Sequence, residues 1–186
     1  MRGDPQKVLE AIDEYGRTRK YLMNVGKYKS STVIQLIKEE KPQVMVELGG
    51  YVGYSAIAFA AALRETGGKR YFSLECNPEF GAVIASLVDL AGLHDTVSVI
   101  VGDSASSLER LYLGRQLTRI DLLFLDHYKP AYTKDLKLCE QLGLVGPGSV
   151  YVADNGEKSK VKWDPAEQEF RLHHFGQSSN LEILRI

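Results

Sequence analysis

The stretch Val44–Ser55, VMVELGGYVGYS, constrains the fold of this chain more than any other. Val44 to Leu48 is an apolar run interrupted only by Glu47, the pattern of a buried strand. It breaks at Gly49 and Gly50, gains Gly53, and passes directly into Ala56–Leu63, a helix-forming composition. In an open α/β sheet, a ligand sits over the carboxyl end of such a strand, where glycine lets backbone approach closely. A tight turn without a ligand would use the same residues, so the turn alone leaves both readings open. Its spacing does argue against one class. A dinucleotide fingerprint places glycines at i, i+2 and i+5, whereas these fall at i, i+1 and i+4, which disfavours a nicotinamide oxidoreductase.

Four more strand-like runs follow: Arg70–Glu75, Val97–Val101, Ile120–Asp126 and Ser149–Asp154. Helical patterns separate them. Asn77-Pro78-Glu79 is a cap, a first-turn proline and a dipole-matched acid; Phe80, Val83, Ile84, Leu87, Val88 and Ala91 form the buried stripe, and Gly92 ends it. Further helices are expected around Leu108–Leu117 and Thr133–Leu142. The alternation predicts an α/β, Rossmann-like, doubly wound and mostly parallel sheet with helices on both faces.

Upstream, Asp4-Pro5 caps a helix carrying Val8, Ile12 and Tyr15, which Gly16 is expected to end. Lys20–Lys29 has no clean period and reads as a covering loop. Ser30 or Ser31 would cap the next helix, which Lys41-Pro42 stops. Downstream, Gly156–Trp163 is polar and basic, while Glu169–Phe175 and Leu181–Ile186 read as a closing antiparallel strand pair around the turn Gln177–Asn180. Trp163, His94 and the pair His173-His174 read as packing, loop and strand residues.

With 186 residues, 44% of them hydrophobic, the chain suits a single domain, 1–186. A net charge of −1 offers no basic footprint for nucleic acid and no polybasic membrane signal. No apolar stretch has spanning length, and Met1–Asp4 does not resemble a leader. Cys76 and Cys139 lie in apolar contexts and read as buried free thiols, so a cytoplasmic location is the expectation.

The strand ends carry the chemistry. Glu47-Leu48-Gly49, Glu75, Asp103-Ser104, Asp126-His127-Tyr128-Lys129 and Asp154-Asn155 all finish parallel strands on one edge of the sheet. Glu75, ending the second strand, suits the two hydroxyls of an adenosine ribose. A nucleoside lacking phosphates, such as S-adenosylmethionine, needs that grip but no pyrophosphate loop. Asp126, Asp154 and Asn155 supply oxygen donors at two neighbouring strand ends, which suggests a hard divalent ion, Mg²⁺ first. For Asp-Asn alone, turn formation is the simpler reading.

Together, Glu47–Ser55, Glu75-Cys76-Asn77-Pro78, Leu125–Lys129 and Ala153-Asp154-Asn155 resemble the catechol O-methyltransferase family, at matching spacing from about Tyr21 through Asn155. The resemblance implies a monomeric enzyme using S-adenosylmethionine and Mg²⁺ on a small vicinal diphenol. It implies metal ligation by Asp126, Asp154 and Asn155, and Lys129 as general base. On the cofactor it implies Val25, Glu47, Tyr51, Ser55, Glu75 and Ser104, with His127 and Tyr128 beside the adenine; Gly49, Cys76, Gly102, Asp103 and Asp126 complete that wall. Residues 1–42 become N-terminal helices and a lid, with Met23–Gly26 over the transferable methyl; Tyr21, Met23, Lys129 and Asn155 face the substrate. A neighbouring cation and partial burial would both favour a neutral lysine at position 129.

The chain departs from the family in places. Tyr21 and Tyr128 replace tryptophans of the mammalian members, and Lys27-Tyr28-Lys29 is unusually basic. After Asn155 the family's apolar, proline-containing loop gives way to polar Gly156–Lys160: the loop is truncated, or part of it is absent from this chain. The mammalian substrate carboxylate falls beyond Ile186, near which some shorter microbial relatives also end, and no residue is assigned to it. Two rivals keep the fold: methylation of a larger phenolic such as a caffeoyl ester, and a relative that binds S-adenosylmethionine without catalysis.

Overall fold

The structure, a computed structural model, describes residues 2–154 and the strand segments 160–164, 169–173 and 181–185. Five parallel strands, β1 (Val44–Leu48), β2 (Arg70–Glu75), β3 (Val97–Val101), β4 (Leu122–Leu125) and β5 (Val150–Asp154), lie in the order β3-β2-β1-β4-β5. The helices are α1 (Pro5–Thr18), α2 (Gly26–Glu40), α3 (Tyr54–Glu65), α4 (Pro78–Leu90), α5 (Ser104–Leu113) and α6 (Tyr132–Gln141). This is the doubly wound arrangement that the strand–helix alternation predicts.

Strand periodicity sorts the side chains into two cores. Met45, Leu122, Phe124, Val150 and Val152 pack with Ile37, Phe59 and Ile84 of the first four helices. Their neighbours Val46, Leu48, Leu123, Leu125, Tyr151 and Ala153 point the other way, against Leu108 and Leu111 of α5 and Leu136 and Cys139 of α6. Burial on both faces is what allows near-continuous apolar strands. Among the described residues no helix is long and apolar enough to cross a membrane.

Several boundaries differ from the sequence expectations. Helix α1 continues through Gly16 to Thr18, where Arg17 pairs with the Glu14 carboxylate and Thr18 Oγ1 donates to Glu14 O at 2.7 Å. A helical glycine costs only about 1 kcal/mol, which such contacts can offset. Helix α2 starts at Gly26, so the expected loop ends early; Ser30 and Ser31 are inside it, donating back to the Lys27 and Tyr28 carbonyls. Helix α5 begins at Ser104 rather than near Leu108, because Asp103 caps it by accepting from Ser106 N at 3.0 Å. Cys139 is buried, but Cys76 is exposed, just past the end of β2.

The two last strands do not pair with each other. The polar stretch supplies β6 (Lys160–Asp164), which pairs antiparallel with β7 (Glu169–His173). The final strand, β8 (Leu181–Arg185), pairs antiparallel with β5 instead. The chain between β6 and β7 is shorter than that between β7 and β8, so the nearer pairing closes the smaller loop. β8 in turn covers the edge that β5 would otherwise leave open.

Candidate active site

The strand order reverses between β1 and β4, and the crevice opens there. Gly49 makes it possible. Its φ of +95° is left-handed, and a Cβ would lie 2.6 Å from the Asp126 carbonyl oxygen. Beside it lies a cleft of about 350 Å³, where Gly49, Tyr51, Glu75, Cys76, Gly102, Asp103, Ser104, Asp126, His127 and Tyr128 meet. Every one is a cofactor residue proposed from sequence; Phe80 joins them unforeseen, its ring edge-on to Tyr51 at 4.9 Å.

Glu75 is buried and braced. Its Oε2 accepts from Tyr51 N at 2.8 Å and its Oε1 from Asn77 N at 2.8 Å. Each carboxylate oxygen keeps further lone-pair capacity for a ligand hydroxyl. The Tyr51 backbone that provides one brace has φ +47°, an uncommon conformation for a side-chain-bearing residue.

Glu47 and Ser55 lie beneath the glycine turn, outside the residues that line the cleft. Register places Glu47 opposite Ser73 on β2, and both share a face with Tyr71. Ser73 Oγ donates to Glu47 Oε1 at 2.5 Å and Tyr71 OH to Oε2 at 2.7 Å, with a further bond from Ser55. Complete burial outweighs these bonds and pushes the Glu47 carboxyl up to about 7. A Cβ on Gly50 would lie 2.5 Å from Ser73 Oγ, so a side chain there would intrude on this network.

His127 is fixed from behind by residues that the sequence reading did not single out. Its Nε2 meets Asp135 Oδ2 at 2.8 Å, and Ser104 Oγ donates to the same oxygen at 2.5 Å. With a carboxylate as partner, Nε2 carries a proton, and Nδ1 is buried without a hydrogen-bond partner among the described residues. Tyr132 stacks on the imidazole at 4.9 Å and donates to the Leu125 and Asp154 carbonyls, tying the ends of β4 and β5 together. The signal was present. Tyr132, Asp135, Leu136 and Cys139 form the buried stripe of α6, so Asp135 is an acid at a core position.

Asp126 and Asp154 come together. Each follows the last parallel-paired residue of its strand, Leu125 or Ala153, and those two are register partners. Burial first, then the charge of Asp154 and that of Glu47, push the Asp126 carboxyl up to about 8; Lys29 pulls it back. Lys29 Nζ lies 2.5 Å from Asp154 Oδ1. Two adjacent carboxyl groups whose joint ionisation is disfavoured fit a hard divalent cation, which would supply the missing countercharge. Among the described residues no three His, Cys, Asp or Glu side chains converge, so neutral oxygens would have to complete such a site. The third proposed ligand, Asn155, lies outside the described residues.

Other assignments fall less centrally. Lys129 opens a 3₁₀ turn, Lys129–Ala131, at the rim; it is exposed, not partly buried as expected. Tyr21 and Met23 are 79% and 75% exposed and do not line the cleft. Their segment, between α1 and α2, is anchored by other residues: Leu22 packs on the core and Val25 is inside it.

Comparison with known proteins agrees with this geometry. The sequence profile described as O-methyltransferase matches residues 4–177. Catechol O-methyltransferase of Mus musculus is 37% identical over 188 residues, covering 99% of this chain and 69% of that protein. An SAH-bound methyltransferase of Podospora anserina superposes with a TM-score of 0.69 at 27% identity, over 79% of this chain and 61% of that one. An O-methyltransferase from Bacillus cereus, solved in complex with SAH, has a TM-score of 0.71 over 80% of this chain; its 24% identity speaks to the fold alone. The chain spans 66% of that structure's length, just under two thirds. By profile and by identity, this chain belongs to the O-methyltransferase family and groups within it with the catechol O-methyltransferases.

Proposed function

We propose that this protein transfers the methyl group of S-adenosylmethionine to one hydroxyl of a catechol-type substrate, with Mg²⁺ held by Asp126, Asp154 and Asn155. The observation that carries this reading is the Asp126–Asp154 pair, set at the switch point beside an adenosine-sized cleft. In the same reading Glu75 accepts from the ribose hydroxyls, His127 and Tyr128 flank the adenine, and the glycine turn brings backbone to the methionine part. When bound, the cation acts as Lewis acid and template, lowering the hydroxyl pKa and fixing the diphenol. Lys129, at the rim, takes the departing proton. Asp126 and Asp154 orient the acceptor oxygen toward the sulfonium, and such positioning is worth on the order of 7–11 kcal/mol.

The exposure of Tyr21, Met23 and Tyr128 among the described residues favours a second acceptor class, a larger phenolic such as a caffeoyl ester. Both cysteines are free, which supports a reducing, cytoplasmic setting, and the enzyme is read as a monomer.

Labelled S-adenosylmethionine, offered with a panel of small diphenols and caffeoyl esters in Mg²⁺ and in EDTA, tests the proposal. Methyl transfer to a diphenol that stops in EDTA is the expected result. Equal turnover in both conditions sinks the metal assignment; cofactor binding without transfer to any acceptor points to a non-catalytic relative.

A further inference from the structure

The basic segment Lys27-Tyr28-Lys29 has no role in the function proposed above, yet one of its lysines reaches the proposed metal site. Lys29 lies in the first turn of α2, just after the segment read as a lid, and Asp154 ends β5; they are 125 positions apart. Their contact is 2.5 Å long, and their side chains are only 24% and 13% exposed. A long lysine side chain loses rotamer freedom when held this way, and water screens such a sheltered pair less than a surface one. Helix polarity adds to the effect, because the amino end of α2 carries partial positive charge toward the same side.

The charge around this contact is lopsided. Asp154 and Glu47 act on Asp126 as neighbouring carboxylates, and the Lys29 ammonium offsets them there. An ammonium and a divalent ion compete for the same acceptor. Both are hard cations seeking carboxylate oxygen, and they repel each other at contact distance.

We infer that Lys29 is an internal competitor for the divalent cation: the ion takes Asp154 by displacing the ammonium, so metal occupancy is coupled to the first turn of α2 and the segment leading into it. This rests on the metal reading of Asp126 and Asp154. Its consequence is that the chain weakens its own metal affinity and gains a link between the metal and the residues over the proposed methyl-transfer site.

Calorimetric titration of the full chain with Mn²⁺ and with Mg²⁺, in the presence of S-adenosylhomocysteine and without turnover, tests the inference. Lys29→Met keeps the length of the side chain and removes the charge, whereas Lys29→Arg keeps the charge. Lys29→Met is expected to bind metal about tenfold more tightly, with Lys29→Arg close to wild type. Hydrogen exchange at residues 26–30 should rise when metal is added to wild type and stay unchanged in Lys29→Met. Unchanged or weaker binding by Lys29→Met overturns the inference and makes Lys29 a positioning residue for Asp154. No saturable binding by the wild type overturns the metal reading itself. Circular dichroism confirms that the variants compared are folded.

Discussion

Gly49 and Asp126 are packed backbone to backbone: a Cβ on Gly49 would lie 2.6 Å from the Asp126 carbonyl oxygen and 2.9 Å from the His127 α-carbon. Neither contact can yield by rotating a side chain, and the φ of +95° at Gly49 adds strain for any other residue. Gly49→Ala is therefore expected to cost roughly 3 kcal/mol of stability. It should also weaken S-adenosylhomocysteine binding, because it parts the two strand ends that frame the cleft. Urea unfolding and calorimetry check the two effects.

Asp154 stands beside Asp126 but does not line the cofactor cleft. Asp154→Ala should lower Mg²⁺-dependent methylation by at least about a hundredfold. S-adenosylhomocysteine affinity should stay within a few-fold of wild type. A parallel loss of both, measured by turnover and by calorimetry, would make Asp154 structural.

Lys129 sits at the rim and is exposed. Lys129→Ala should reduce kcat by about 10²- to 10⁴-fold, the range for a general base, with cofactor Kd little changed. An unaltered rate would remove it from the proton transfer.

Glu47 makes stability depend on pH in a defined direction. Burial raises its carboxyl from 4.5 to about 7 in the folded protein, so between those values the folded state holds a proton that the unfolded state releases. Its contribution is favourable below about pH 4.5 and is lost as pH rises through 7, a change of roughly 3 kcal/mol. Glu47→Gln removes this dependence. Its stability relative to wild type should improve from pH 5 to about pH 7 and level off by pH 8, as read by unfolding midpoints across that range. A constant difference would show that Glu47 does not titrate there.

Much of this molecule was legible in the order of its residues. Asn77-Pro78 caps α4 as the pattern predicts, and the strand-end acids Glu75, Asp103 and Asp126 share one cleft. The start of α2 at Gly26 was not legible: Val25, at its N-cap, makes no side-chain capping hydrogen bond to announce it. Asp135 and Tyr132 escaped notice because their function lies in what they touch, His127 and two strand-end carbonyls. Strand pairing at the carboxyl end went astray for a similar reason, since composition marks β7 and β8 as strands without naming their partners.

By itself, the sequence determined the strand–helix alternation, the glycine turn and the set of acids at the strand ends, because periodicity and backbone freedom are local properties. Only the tertiary structure decided that Glu47 is buried beneath the turn, that Lys29 reaches Asp154, and that Tyr21 and Met23 stay outside the cleft. Those outcomes depend on register and on packing between distant segments, where burial and neighbouring charge act on a side chain irrespective of its place in the chain.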